Sequence, residues 1–172
     1  MQKLAAAAST LLGLGFLASA LFHFTPHQRV TGTALPAAGA CLPDQQVAVA
    51  RAAVHETETT VRWVTRAWAD HYGMSKAGAW AEPGRVTIVM DAPCEYVTSM
   101  AIHEFTHEAE FRKAGGMVEA FRMYGDKELE RVAQCRAVAS GFPSYRAYGV
   151  LKPSDCSAYE LASARSLATW NK

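Results

Sequence analysis

His103-Glu104-Phe105-Thr106-His107 constrains this chain more than any other stretch of it. Two histidines four residues apart face the same way on an α-helix, where residues one turn apart have Cβ atoms roughly 5–6 Å from each other. Two imidazole nitrogens can then converge on one cation at about 2.0–2.1 Å, the zinc–nitrogen distance. Glu104 projects about a quarter-turn away. It is badly placed to join both rings as a ligand and well placed to reach a water on the cation. Zinc brings the pKa of such a water toward roughly 7, and Glu104 can then take its proton and pass it on. Two protein ligands are too few for a catalytic zinc site, which needs three and an open position. The fold must therefore deliver a third donor from elsewhere in the chain.

After His107 the sequence runs Glu108-Ala109-Glu110-Phe111-Arg112-Lys113, with no further histidine. The metzincin spacing needs Gly and then His there, so that class is excluded. A carboxylate remains, giving a His₂Glu set. Glu108 and Glu110 share the helix of the histidines and are read as pointing away from their common face. Glu119 follows the Gly115–Gly116 break, and Glu128 shares a face with the charged Arg131. Glu130 shares a face with Ala133 and Ala137, three and seven residues on. Small residues there permit a close helix approach beneath the metal, so Glu130 is the preferred third ligand, with Glu128 next.

The flanking pattern predicts an α+β fold, mostly helical, with a small sheet before the motif helix. Arg85–Met90 is short and β-branched, bounded by Pro83–Gly84 and Asp91-Ala92-Pro93, and reads as a strand. One strand cannot stand alone, and the region around Trp80 is the expected partner. Upstream, Val47, Val54, Val61 and Trp68 recur at heptad spacing, which predicts one long helix from Asp44 to about Tyr72. Glu56, Glu58 and Arg62 then form its solvated face. Downstream, helices are predicted over 97–113, 117–123, Asp126 (as cap) to Ala139, and from the Ser157-Ala158-Tyr159-Glu160 capping box to about Trp170.

Half of the 172 residues are hydrophobic and 19% are charged, which fits a packed core. Lys+Arg total 17 against 16 Asp+Glu, a net charge of +1 that excludes the basic footprint of a nucleic-acid partner. Lys3 precedes an uncharged apolar run from Leu4 to Phe22 that contains Ala18-Ser19-Ala20. This predicts a signal peptide over 1–20, with an uncleaved membrane anchor as the alternative. A Pro- and Gly-bearing linker follows over 21–43, and a single domain over 44–172. Either fate of the leader exports the rest. Four cysteines in an exported chain predict two disulfides, with Cys135–Cys156 and Cys41–Cys94 the preferred pairs.

His103-Glu104-x-x-His107 followed by Glu130-x-x-Ala133 resembles the gluzincin branch of the zincin metallopeptidases, in a compact version covering roughly residues 85–140. The resemblance implies one Zn²⁺ held by His103, His107 and Glu130, Glu104 as general base, and a peptide or protein as substrate. It also implies that the strand Arg85–Met90 borders the cleft and pairs with an extended peptide. Two positions depart from the pattern. Gln134 stands where the family has an Asp that orients a ligand histidine, and Glu108 stands where the family has an uncharged residue. The function expected is therefore an exported zinc-dependent peptidase. The alternative is a non-catalytic, disulfide-stabilised exported binding module whose metal site is vestigial or absent. Tyr145, Tyr148, Tyr124 and His71 are the candidate donors for an oxyanion, and packing explains each of them more simply.

Overall fold

The computed structural model describes residues 42–142 and 152–168. The expected leader, Cys41, Tyr145, Tyr148 and Trp170 lie outside the described residues.

His55 takes a left-handed backbone conformation, φ 56°, and ends the first helix, α1 (Pro43–Val54), after three turns. The single long helix to Tyr72 is therefore not formed. Past His55 the chain reads Glu56-Thr57-Glu58-Thr59-Thr60-Val61, a β-branched run poorly suited to a helix. Glu56 folds back and accepts hydrogen bonds from the N–H groups of Glu58 and Thr59, both 2.8 Å. The chain then extends as β1 (Thr60–Val64). Thr65 caps a short helix, α2 (Arg66–His71), accepting from the Trp68 N–H at 3.2 Å.

Two further strands, β2 (Ala79–Glu82) and β3 (Arg85–Val89), form a hairpin about Pro83–Gly84. Gly84 has φ 76°, a conformation the turn needs and a side chain resists. The order is β1-β3-β2, with β1 parallel and β2 antiparallel to β3. The strand expected near Trp80 is thus real, and the strand read from the sequence is the central one. Val86 and Ile88 face one side with Val61, Trp63, Ala79 and Ala81, packed against α1 and the motif helix. Val64 and Val89 face the other side, with Trp80, beneath Ala69 and Trp68 of α2. This alternation is the period-two signature of strands.

The motif helix, α3 (Cys94–Ala114), has 21 residues. It ends where Gly115 turns left-handed at φ 84° and the Gly116 N–H reaches back to the Phe111 carbonyl at 2.8 Å. α4 (Met117–Tyr124) and α5 (Asp126–Ala139) follow. Asp126 is the first helical residue of α5 and not its cap, and no side chain caps that end. After a 3₁₀ turn (Pro153–Asp155), α6 (Ala158–Ala168) begins with the expected reciprocal cap: Glu160 N–H to Ser157 Oγ, 3.1 Å, and Ser157 N–H to Glu160 carboxylate, 2.6 Å. The molecule is α+β and mostly helical, as read from the sequence.

The Cys135–Cys156 disulfide ties α5 to the start of the α6 region. Cys94 is disulfide-bonded as well, and its expected partner is outside the described residues. Among the described residues no helix is long and apolar enough to cross a membrane.

Candidate metal centre

Phe105, wholly buried between α1, the sheet and α5, fixes the roll of α3. With that face turned inward, His103 and His107 emerge together on the face toward α5. Ala133 and Ala137 of α5 are also wholly buried, which brings the two helices close. Glu130, one turn before Ala133, then meets both rings. The His103 Nε2 to Glu130 Oε2 distance is 3.0 Å, His107 Nε2 to Glu130 Oε1 is 3.4 Å, and the two Nε2 atoms are 3.0 Å apart. Among the described residues these three offer ligand atoms that all lie within 4.8 Å of one another.

Those separations test whether a cation fits. Tetrahedral bonds of about 2.0–2.1 Å place neighbouring ligand atoms roughly 3.3 Å apart, close to all three distances. The chemistry agrees. His107 Nδ1 is 2.9 Å from Glu110 Oε2 and is the natural donor there. Its neutral ring therefore turns an Nε2 lone pair toward the Nε2 of His103. Two such nitrogens at 3.0 Å require a proton or a cation between them.

The electrostatics make the same demand. Burial alone would lower the pKa of His107, but Glu110 and Glu130 at hydrogen-bond distance, with the charge of Glu104 nearby, push it up to about 10. Burial would raise Glu130, and the two imidazoles override it and hold its carboxyl well below the usual range. Burial raises the carboxyl of Glu110 against the pull of His107. The carboxyl of Glu104 is raised, chiefly by burial. Three acids converge on two rings, and burial opposes the charge of two of them. A divalent cation among them would favour the charged carboxylates.

The site opens into a cleft of about 370 Å³. It is lined by Phe111, Met117 and Phe121, at the end of α3 and along α4, by Gly78 and the first three residues of β2, and by the site residues. The strand expected to border the cleft, β3, is paired on both sides, so the exposed edge belongs to β2. Gly78 O accepts from the Val89 N–H at 2.9 Å, within the pairing of β2 with β3. Alternation along an antiparallel pair then turns the N–H and C=O of Ala79 and Ala81 outward, to the cleft. Glu104, on the motif helix, lines the cleft together with this edge.

Each acid weighed from the sequence now has a place. Glu130 meets the histidines. Glu128 lines a different cavity, with Leu129, Val132 and Leu167. The carboxylate of Glu119 lies beside Gly116. Glu108 does point away from the histidines, and it is buried rather than solvated. It accepts from the Gly84 N–H at 3.0 Å and the Thr59 hydroxyl at 3.3 Å, and it pairs with Arg112. It leaves the cleft undisturbed. Glu110 does not point away. Seven residues after His103 is two turns, about 700°, which returns to the same face, and that spacing was the signal available in the sequence. Gln134 lines the cleft but does not orient a ring, since His103 Nδ1 is buried without a hydrogen-bond partner among the described residues. Neither His71 nor Tyr124 lines the cleft. Comparison with family models, with curated proteins and with solved structures finds no match for this chain.

Proposed function

We propose that the chain is an exported zinc-dependent peptidase of the gluzincin kind, with His103, His107 and Glu130 as ligands and Glu104 as general base. The observation that carries this reading is the convergence of two Nε2 atoms and a carboxylate at 3.0–3.4 Å beside a second buried carboxylate at the foot of an open cleft. A zinc ion held there would supply a Lewis acid for the scissile carbonyl and for water. Glu104 takes the proton from that water and delivers it to the departing amine. Burial raises its carboxyl above the ordinary range, the direction that favours holding a proton for the departing amine. The outward N–H and C=O groups of β2 suit an extended peptide, whose main chain they can bind without demanding a sequence. Export rests on the apolar leader and the disulfide.

The test pairs metal analysis with Glu104→Gln. Purified protein should carry one zinc per chain and cleave members of a peptide library. The variant should keep its zinc and lose roughly 10²–10⁴-fold in cleavage. Protein that binds no zinc, or a variant that cleaves undiminished, sinks the reading. The buried Nδ1 of His103, without a hydrogen-bond partner among the described residues, favours a second reading, a non-catalytic module. Stoichiometric zinc without cleavage of any library peptide would select it.

A further inference from the structure

The geometry points to Glu110 as a positioning residue that acts on the metal centre through His107. This rests on the zinc reading above, and neither the motif nor the resemblance assigns Glu110 a role.

Glu110 is a buried carboxylate, its side chain 6% exposed, on the face of α3 that carries both histidines. Its Oε2 lies 2.9 Å from His107 Nδ1. Placing a carboxylate there costs desolvation that an apolar residue would avoid. A contact to the rear nitrogen of a ligand ring gives that cost a use. By accepting the Nδ1–H it fixes the tautomer in which Nε2 presents its lone pair to His103 and Glu130. It stops the ring from rotating, together with Phe111, whose ring lies nearly parallel to it at 6.1 Å and 11°. Its negative charge also makes Nε2 a stronger donor.

The other ring shows the contrast. His103 Nδ1 is buried with no hydrogen-bond partner among the described residues. The two ligand histidines are therefore held differently at the rear: His107 Nδ1 meets a carboxylate, whereas behind His103 there is only packing, and its ring is engaged from the front alone, by Glu130 and by its edge-on contact with His107 at 4.6 Å. Where the resemblance leads one to expect an acid behind a ligand histidine, this chain has Gln134. The acid comes instead from the motif helix itself, on the second ring.

The experiment is competition for zinc between a chelator and the full chain, as wild type, Glu110→Gln and Glu110→Ala. Alongside it go the melting temperature with and without zinc and the visible spectrum of the cobalt-loaded protein. Glutamine can still accept through its carbonyl but carries no charge; alanine does neither. Expected losses in zinc affinity are about tenfold for Gln and up to about 100-fold for Ala. The zinc-dependent rise in melting temperature should shrink in the same order, and the cobalt bands should shift. A merely structural Glu110 would lower the metal-free melting temperature and leave affinity and spectrum alone; that result overturns the inference. If Ala does not fold, Gln carries the test. Wild type that binds no zinc overturns the metal reading and this inference with it. Wild type that binds zinc beside a Gln variant of equal affinity overturns this inference alone.

Discussion

Glu130 touches both imidazoles with different oxygens, and no other carboxylate among the described residues joins them in a ligand-spaced group. Glu130→Gln keeps the length and removes the charge. It should weaken zinc by more than the roughly 10–100-fold that a supporting residue costs, read by chelator competition. Unchanged affinity would show that Glu130 is not a ligand. A second residue governs stability. Glu56 was expected on a solvated face, yet it is buried, 2.7 Å from Arg112. Burial would raise its pKa, but Arg112 and the N–H groups of Thr59 and Glu58 hold it down to about 2. A carboxyl depressed in the folded state stabilises above its unfolded pKa, ~4.5, and loses that contribution as pH falls toward 2. Glu56→Gln should therefore cost on the order of 2–3 kcal/mol in denaturant unfolding at pH 7 and almost nothing near pH 2. A cost independent of pH contradicts this. The shared face of His103 and His107 was legible because helical spacing is local arithmetic, and the small residues that share a face with Glu130 marked a close helix approach. The burial of Glu56 and Glu108 was not legible, since Arg112 reaches Glu56, and Thr59 and Gly84 reach Glu108, from distant segments that only the folded chain brings together.

At the scale of elements, the sequence misled where two periods coincide. Val47, Val54, Val61 and Trp68 fit a heptad, yet Val61 and Trp63 also alternate with Arg62 and Val64 as a strand does. The strand prevailed because β3 offers β1 a full ladder of partners and α1 already ends at His55. Helices α3 to α6 were legible from their glycine and capping punctuation. Which strand forms the open edge was not, since sheet order depends on pairing between segments. α4 leaves apolar surface at the mouth of the cleft: Phe121 is 41% and Met117 40% exposed. A large apolar side chain of a peptide laid along β2 can cover them. Phe121→Ala should lower kcat/KM for peptides bearing such a residue by about tenfold or more relative to small-residue peptides, the usual worth of a few methylene contacts. Zinc content should be unchanged. An unaltered preference would remove α4 from the substrate path.

On the scale of the whole molecule, the candidate site and the core share their supports. α3 carries His103, His107 and Phe105; α5 carries Glu130, together with Ala137 of the same core. The disulfide binds α5 to the segment that leads into α6, whose Ala164 and Leu167 pack on Ala109 and Val132. With zinc bound as proposed, two constraints would act on α5, a covalent one from the tail and a metal one shared with α3. Their sizes can be compared. A crosslink spanning 21 residues is worth about 3 kcal/mol by loop entropy. A ligand at 1,000 times its Kd adds about 4 kcal/mol. Saturating zinc should therefore offset loss of the bond: the Cys135→Ala/Cys156→Ala protein with zinc should unfold at a denaturant concentration no lower than the metal-free disulfide-bonded protein. The two effects should add within about 0.5 kcal/mol if they are independent. If the double variant no longer responds to zinc at all, the tail does more than brace α5, and the site depends on it to form.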